Sequence, residues 1–259
     1  MSDTTKSTVV GNLEIIENFY MPELNRTRTI RIWKPSNYNN SLNYPVIYMH
    51  DGQNLFDDKT SFAGEWGIDE SIEQLIQSNK TEGFIVVGID NSEHRMSEYT
   101  PNWGDIKAAE GELYAKFIVN TLKPYIDNNY NTLKDRNNTI IIGSSMGGLI
   151  SFYIGLKYQN IFGYIGSLST SFQINSIDAR NNFINSLNYQ NPPFLYLDAG
   201  TLEHSMNYIS EVKTSLLNAS YNKDSIYTLI KNNHAHNESA WRERFPKILL
   251  LFISKMGEQ

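Results

Sequence analysis

The chain of 259 residues is long for one hydrophobic core but normal for one α/β domain. Its 40% hydrophobic and 12% aromatic residues support a sizeable core, which argues against an intrinsically disordered chain. The net charge of −6 comes without a basic cluster, which argues against nucleic acid and anionic membranes as main partners.

The chain contains no cysteine, which excludes disulfides, thiolate metal sites and a cysteine nucleophile. Residues 1–7 lack a charged segment followed by an apolar one, so no signal peptide is predicted. No apolar run approaches the length that spans a bilayer. These features predict a soluble, cytoplasmic protein without a membrane partner, and they leave its oligomeric state open.

Apolar strand-like segments alternate with helical patterns along the chain, without an internal repeat. The first two strand-like segments, 9–20 and 27–33, resemble an antiparallel pair joined by a turn. The later strands are predicted at 44–49, 83–89, 138–142, 163–168, 193–197 and 225–231. Helices are predicted at about 67–78, 108–128, 147–158, 205–220 and 238–255.

Continuous apolar strands separated by helices indicate a mostly parallel central sheet with helices on both faces. Polar and glycine-containing segments follow the strands at their carboxyl ends, where open α/β sheets bind ligands. We predict one domain over residues 1–259, in which residues 1–8 are a flexible N-terminus. Residues 170–191 are polar and poorly periodic, which indicates a loop or small cap with a short helix.

A nucleophile motif follows the strand at 138–142. Residues 143–147 read Gly-Ser-Ser-Met-Gly, which is G-x-S-x-G between a β-branched strand and a helix-compatible stretch. A serine on such a tight turn has a strained backbone, and the neighbours two positions away must lack a β-carbon. This context predicts Ser145 as a nucleophile, against the alternative of a structural turn that merely contains serine.

A serine hydroxyl needs a base, and the base needs an orienting carboxylate. Of the five histidines, only His234 and His236 lie between the last predicted strand and the last helix, where the base of a Ser–acid–His order should lie. Spacing does not choose between them, and exposed loop histidines or a His-x-His zinc site are the alternatives. For the acid, Asp198 and Glu203 both follow the strand at 193–197, and spacing leaves them unresolved.

An oxyanion hole in this arrangement combines the backbone N–H after the nucleophile with one from the loop after the third strand. This predicts Met146 and a residue of the segment 50–53, which reads His-Asp-Gly-Gln. The alternative for that segment is a simple turn.

Three motifs together resemble the Putative esterase family of α/β-hydrolases. They are 48–57 (Tyr-Met-His-Asp-Gly-Gln-Asn-Leu-Phe-Asp), the elbow 143–148, and 236–244 (His-Asn-Glu-Ser-Ala-Trp-Arg-Glu-Arg). The segments 87–91 and 98–101 and Arg95 also match bacterial members. This family holds esterase D, enterochelin-type siderophore esterases, feruloyl and acetyl xylan esterases, and mycolyltransferases. The similarity runs from about Val10 to Ile253 and implies the α/β-hydrolase fold without specifying the substrate.

The resemblance also implies roles for individual residues. The family's His-x-Glu-x-x-Trp segment selects His236 as the base, and its Gly-Thr-x-acid pattern selects Glu203, with Asp198 as the alternative acid. The Asp-Gly-x loop selects the amide of Gln53 beside that of Met146 for the oxyanion hole.

The same resemblance places Arg95, Trp66 and Trp103 in the substrate cleft; ordinary packing, or a surface pair between Arg95 and Glu98, is the alternative. Trp241 and Arg244 lie about one helical turn apart and are expected to support His236 from behind.

These residues predict a serine esterase that acts through an acyl-enzyme on a small or medium ester, such as a siderophore or acylated-sugar ester. The expected partner is this small-molecule substrate, and no metal or organic cofactor is required. An acyltransferase of the same fold and a non-catalytic α/β-hydrolase used for binding are the alternatives.

Overall fold

The computed structural model describes residues 6–258, and an eight-stranded sheet forms its centre. The strands are β1 (Asn12–Met21), β2 (Arg26–Lys34), β3 (Val46–His50), β4 (Ile85–Ile89), β5 (Thr139–Ser144), β6 (Tyr164–Leu168), β7 (Phe194–Gly200) and β8 (Ile226–Lys231). They lie in the order β1-β2-β4-β3-β5-β6-β7-β8. β1, β2 and β4 pair antiparallel, and all pairs from β4 through β3 to β8 are parallel.

Strand sequence and strand position agree. Every residue of β3, β4, β5 and β6 is buried, which matches their continuous apolar runs and requires cover on both faces. β1 and β8 lie at the two edges, and nearly all of their residues are exposed or half-buried.

Helices supply that cover. They are α1 (Ile68–Gln77), α2 (Arg95–Glu98), α3 (Gly111–Lys116), α4 (Lys123–Asn129), α5 (Met146–Lys157), α6 (Ile177–Asn185), α7 (Met206–Asn218) and α8 (Glu238–Met256). A π-helical segment, Phe117–Leu122, joins α3 to α4. One apolar core includes side chains of α1 and α8, and a second core on the other face includes those of α3, α5 and α7. None of the helices within residues 6–258 could cross a bilayer.

The predicted fold class is confirmed: the chain has the α/β-hydrolase fold with a mostly parallel sheet. One boundary matters for the site. β7 was expected to end at residue 197, but it pairs with β8 as far as Gly200 opposite Lys231. Asp198 therefore lies inside a strand instead of on the following loop. Residues 1–5 of the predicted flexible N-terminus lie outside the described residues, and Ser7 and Thr8 hydrogen-bond to Asp57.

Three carboxylates meet at the start of α1. The side chain of Asp69 is fully buried and lies close to those of Glu65 and Glu70, while Arg242 lies 3.4 Å from Glu65 and 3.5 Å from Glu70. Asp69 Oδ2 accepts a hydrogen bond of 2.8 Å from the backbone N–H of Val10. Burial, reinforced by the neighbouring Glu70, raises the pKa of Asp69 to about 8.

We predict that Asp69→Asn stabilises the protein increasingly with pH. Between the ordinary aspartate pKa and about 8, folding takes up a proton at Asp69, so the free energy of unfolding falls as pH rises through this window. Asparagine can still accept a hydrogen bond from the Val10 N–H. Because its amide does not titrate, the variant lacks this pH dependence of the free energy of unfolding. The Tm difference between variant and parent should rise from about pH 5 to about pH 8, by at least ~2 °C, and then level off.

The exposed Asp178 on α6 provides the control, because its carboxylate contacts water in both folded and unfolded states. Asp178→Asn should show no comparable rise. A Tm difference for Asp69→Asn that is independent of pH would contradict the protonated carboxyl.

Candidate active site

Ser145 lies on the sharp turn between β5 and α5. Its backbone has φ 57° and ψ −122°, a conformation that is strained for a residue with a side chain. A β-carbon at Gly143 would overlap the carbonyl of Gly147, so only glycine allows this close turn. The turn sets Ser145 at the carboxyl edge of the sheet, and its N–H donates to the carbonyl oxygen of Leu168 at 2.9 Å.

The structure brings three of the predicted residues into one hydrogen-bonded chain. His236 Nε2 lies 2.9 Å from Ser145 Oγ, and His236 Nδ1 lies 2.8 Å from Glu203 Oε2. The imidazole side chain is 40% exposed whereas the Glu203 side chain is 1% exposed. A buried carboxylate thus meets one ring nitrogen, and an accessible hydroxyl meets the other.

Glu203 is surrounded by donors. Burial by itself would raise the pKa of this carboxyl, but hydrogen bonds from His236, Ser205, the Gly200 N–H and Ser169 outweigh burial and lower it to about 2. Ser205 Oγ donates to Oε2 at 2.7 Å, and Ser169 Oγ donates to Oε1 at 2.8 Å. The side chain is therefore ionised at neutral pH.

Asp198 has different partners. Its Oδ2 accepts from Tyr196 at 2.8 Å, and its Oδ1 accepts from the Ser169 N–H at 3.2 Å and lies 3.1 Å from Arg244 Nη1. Complete burial raises the pKa of Asp198 to about 6 despite the nearby guanidinium of Arg244. Asp198 thus contacts Tyr196, Ser169 and Arg244, whereas the carboxylate in contact with His236 is that of Glu203.

Ser169 links Glu203 to two residues of α8, and this role was not predicted from the sequence. Besides donating to Glu203, its hydroxyl accepts from Trp241 Nε1 at 2.9 Å and from Arg244 Nη2 at 2.8 Å. Its φ of 45° is unusual for serine. Trp241 also packs edge-on against His236, with ring centroids 5.2 Å apart. Trp241 therefore contacts His236 directly, whereas Arg244 is linked to it only through Ser169 and Glu203.

The predicted oxyanion loop follows β3. Asp51 has φ 57°, and a short 3₁₀ helix, Gly52–Asn54, follows it. Met146 is the first residue of α5, and N–H groups in a first helical turn lack partners within the helix. Gln53 Oε1 accepts from the Asn91 N–H at 3.1 Å, which holds the Gln53 side chain against the segment that follows β4.

A cavity of about 320 Å³ lies over Ser145. It is lined by Asp51, Asn54, Phe62, Ala63, Trp66, Arg95, Ser144, Ser145, His236, Glu238 and Trp241. The structure thus brings Trp66 and Arg95 to the predicted cleft.

Trp103 is not one of these lining residues. Its ring stacks on Phe183 of α6, with centroids 5.4 Å apart, so the structure favours its alternative interpretation as a packing residue. The alternative of a surface pair between Arg95 and Glu98 is wrong, because Glu98 is fully buried and its carboxylate lies 2.7 Å from Arg28. Arg95 instead forms a two-pronged pair with Asp51, at 2.7 and 2.9 Å.

The two loop histidines point to different partners. His234 Nε2 lies 3.3 Å from Glu243, whereas His236 contacts Ser145 and Glu203. Within residues 6–258, the one group of side chains placed to share a metal ion is the acidic cluster at the start of α1, which contains no histidine. The zinc alternative for His234 and His236 thus finds no support in their positions.

The family model described as "Putative esterase" matches residues 21–252. The uncharacterized protein YbbA of Bacillus subtilis is 26% identical over 236 residues, which cover 84% of this chain and 89% of that protein.

Two solved esterases show the same fold. The enterobactin esterase FES from Shigella flexneri, solved in the presence of enterobactin, superposes with a TM-score of 0.77 at 17% identity over 96% of this chain. This chain spans 61% of the length of that enzyme. A ferulic acid esterase from Anaeromyces mucronatus, in complex with ferulic acid, gives a TM-score of 0.70 at 18% identity, covering 96% of this chain and 92% of that one.

The different contacts of the two carboxylates predict different kinetic effects. Glu203→Gln should lower kcat for p-nitrophenyl acetate by several orders of magnitude with little change in KM, because an amide can bind the wrong histidine tautomer. Asp198→Asn, the matched control, should act mainly by lowering Tm. The reverse ranking of kcat in the two folded variants would assign the acid to Asp198.

Proposed function

The chain belongs to the Putative esterase family, and on this basis we propose that it is a serine carboxylic-ester hydrolase that works through an acyl-enzyme. The observation that carries the proposal is the chain of contacts from Ser145 Oγ to His236 Nε2, at 2.9 Å, and from His236 Nδ1 to Glu203 Oε2, at 2.8 Å. A pure binding module has no use for this combination of a strained serine, an accessible imidazole and an ionised buried carboxylate.

In the proposed acylation step, Ser145 Oγ attacks the ester carbonyl carbon while His236 Nε2 takes the serine proton. Glu203 keeps its negative charge, fixes the Nδ1–H tautomer and stabilises the imidazolium. The backbone N–H groups of Gln53 and Met146 bind the oxyanion, and one such donor contributes roughly 3 kcal/mol in comparable sites. His236 then protonates the departing alcohol.

In the proposed deacylation step, His236 removes a proton from water as the water oxygen attacks the acyl carbon. The same amides hold the second oxyanion. When the intermediate collapses, His236 returns the proton to Ser145 Oγ and the carboxylic acid leaves. Every proton transfer in this proposed mechanism uses His236 Nε2, and none of the steps requires a metal ion.

The cavity supports a small or medium ester as substrate. Its volume of about 320 Å³ is at the lower end of the range for small-molecule sites, and Phe62, Trp66 and Trp241 provide aromatic walls. Arg95 is proposed to contact the substrate together with Trp66, although Asp51 already compensates its charge. The names of the solved neighbours make siderophore esters and aromatic acyl esters the first compounds to test.

Ser145→Ala should abolish ester hydrolysis while leaving Tm nearly unchanged, because alanine fits where serine does. A fluorophosphonate probe should label the parent enzyme on Ser145, as located by peptide mass spectrometry. The neighbouring Ser144 is the internal control. Labelling on Ser144, or normal turnover by the alanine variant, would overturn the proposed nucleophile.

The two histidines allow a matched test of the base and of the metal-free mechanism. His236→Ala should lose essentially all activity, whereas His234→Ala should keep most of it, because His234 contacts Glu243 instead of Ser145. The parent enzyme should remain fully active after exhaustive dialysis against EDTA. If the dialysed enzyme were inactive and zinc restored it, the serine mechanism would have to be abandoned.

A further inference from the structure

The loop after β6 contacts the proposed nucleophile as well as the proposed acid. While Ser169 donates to Glu203, Ser171 Oγ lies 3.1 Å from Ser145 Oγ. The Ser171 N–H also donates to the carbonyl oxygen of Ser145 at 3.1 Å. Ser171 is only 5% exposed, so its hydroxyl is held beside the nucleophile.

Counting donors and acceptors fixes the direction of this hydrogen bond. Ionised Glu203 can only accept, so His236 donates through Nδ1–H, and in the neutral ring that acts as the base Nε2 is an acceptor. Ser145 must then direct its single proton to Nε2, at 2.9 Å. The remaining lone pairs of Ser145 Oγ accept, and the Ser171 hydroxyl is therefore the donor.

We infer that Ser171 is a further catalytic residue, which donates a hydrogen bond to the oxygen atom that attacks the ester. This inference rests on the proposed serine mechanism and adds a fourth side chain to it. Neither the G-x-S-x-G motif nor the order of serine, acid and histidine points to Ser171, because it follows a different strand.

The proton of Ser171 stays on Ser171 throughout the reaction. As the Ser145 proton moves to His236 and the bond from Oγ to the acyl carbon forms, negative charge develops on Oγ and strengthens the hydrogen bond. When the deacylation intermediate collapses, the bond between Oγ and the acyl carbon breaks, and Ser171 stabilises the departing Oγ until His236 protonates it. Ser171 thus assists both half-reactions by the same contact.

The rate enhancement from Ser171 depends on how much stronger its hydrogen bond to Ser145 Oγ is in the transition state than in the ground state. Hydrogen bonds to charged oxygens are roughly twice as strong as those to neutral ones. We therefore expect removal of the donor to slow attack by about tenfold, with KM little changed, because the ground state loses only the weaker interaction.

Ser171→Ala isolates the hydroxyl, because the backbone N–H that donates to the Ser145 carbonyl oxygen remains. Thr170→Val is the matched control: it removes the adjacent buried hydroxyl, which contacts Ser167 at 2.6 Å instead of Ser145. Two rates are measured on each variant. The first is the second-order rate of inactivation by a fluorophosphonate, which reports attack by Oγ alone, and the second is kcat for p-nitrophenyl acetate. Tm is recorded for each protein.

Ser171→Ala should lose about tenfold in both rates at an unchanged Tm, and Thr170→Val should keep both rates even if its Tm falls. A change of less than about twofold in the inactivation rate of Ser171→Ala, or an equal loss in Thr170→Val, would overturn the role of Ser171. Failure of the proposed function is distinguishable, because the parent enzyme itself would then not be labelled on Ser145.

Discussion

The ionised carboxylate of Glu203, buried at the carboxyl edge of the sheet, is the constraint on which the site depends. Burial opposes a charge there, so the pKa near 2 requires several donors to meet at one point. Those donors come from different elements: the end of β7 supplies the Gly200 N–H, the loop after β6 supplies Ser169, and the loop before α8 supplies His236. A shift in any one of these elements would weaken the orientation of the imidazole.

Two neighbouring carboxyl groups in this region have pKa values pushed in opposite directions. Complete burial raises the pKa of Asp198 to about 6, and hydrogen bonds lower the pKa of Glu203 to about 2. Arg244 lies 3.1 Å from Asp198 and 3.7 Å from Glu203, and Ser169 contacts both residues. Asp198 therefore holds Arg244 and Ser169 in place, and these two in turn hold the carboxylate that contacts His236.

The sequence was sufficient to predict the fold and the position of the turn at Ser145. Strands buried on both faces must be apolar throughout, and the tight turn requires glycine beside the serine, so both features are visible in local sequence. It could not separate Asp198 from Glu203 by spacing, since that depends on how far β7 pairs with β8. Ser169 and Ser171 escaped prediction because hydroxyl side chains are common in loops and only tertiary contacts distinguish them. Trp103 was expected in the cleft, but its stacking on Phe183 depends on α6, within a segment whose pattern was not periodic.

Trapping the acyl-enzyme tests the central claim most directly. The parent enzyme is mixed with p-nitrophenyl acetate, quenched in acid during turnover, and digested for peptide mass spectrometry. The account predicts one acetyl group on Ser145, formed in a burst that matches the first p-nitrophenol released, and no acetyl group in Glu203→Gln within the same time. Steady hydrolysis by the parent enzyme without any adduct on Ser145, or with an adduct on another residue that turns over at kcat, would contradict the account.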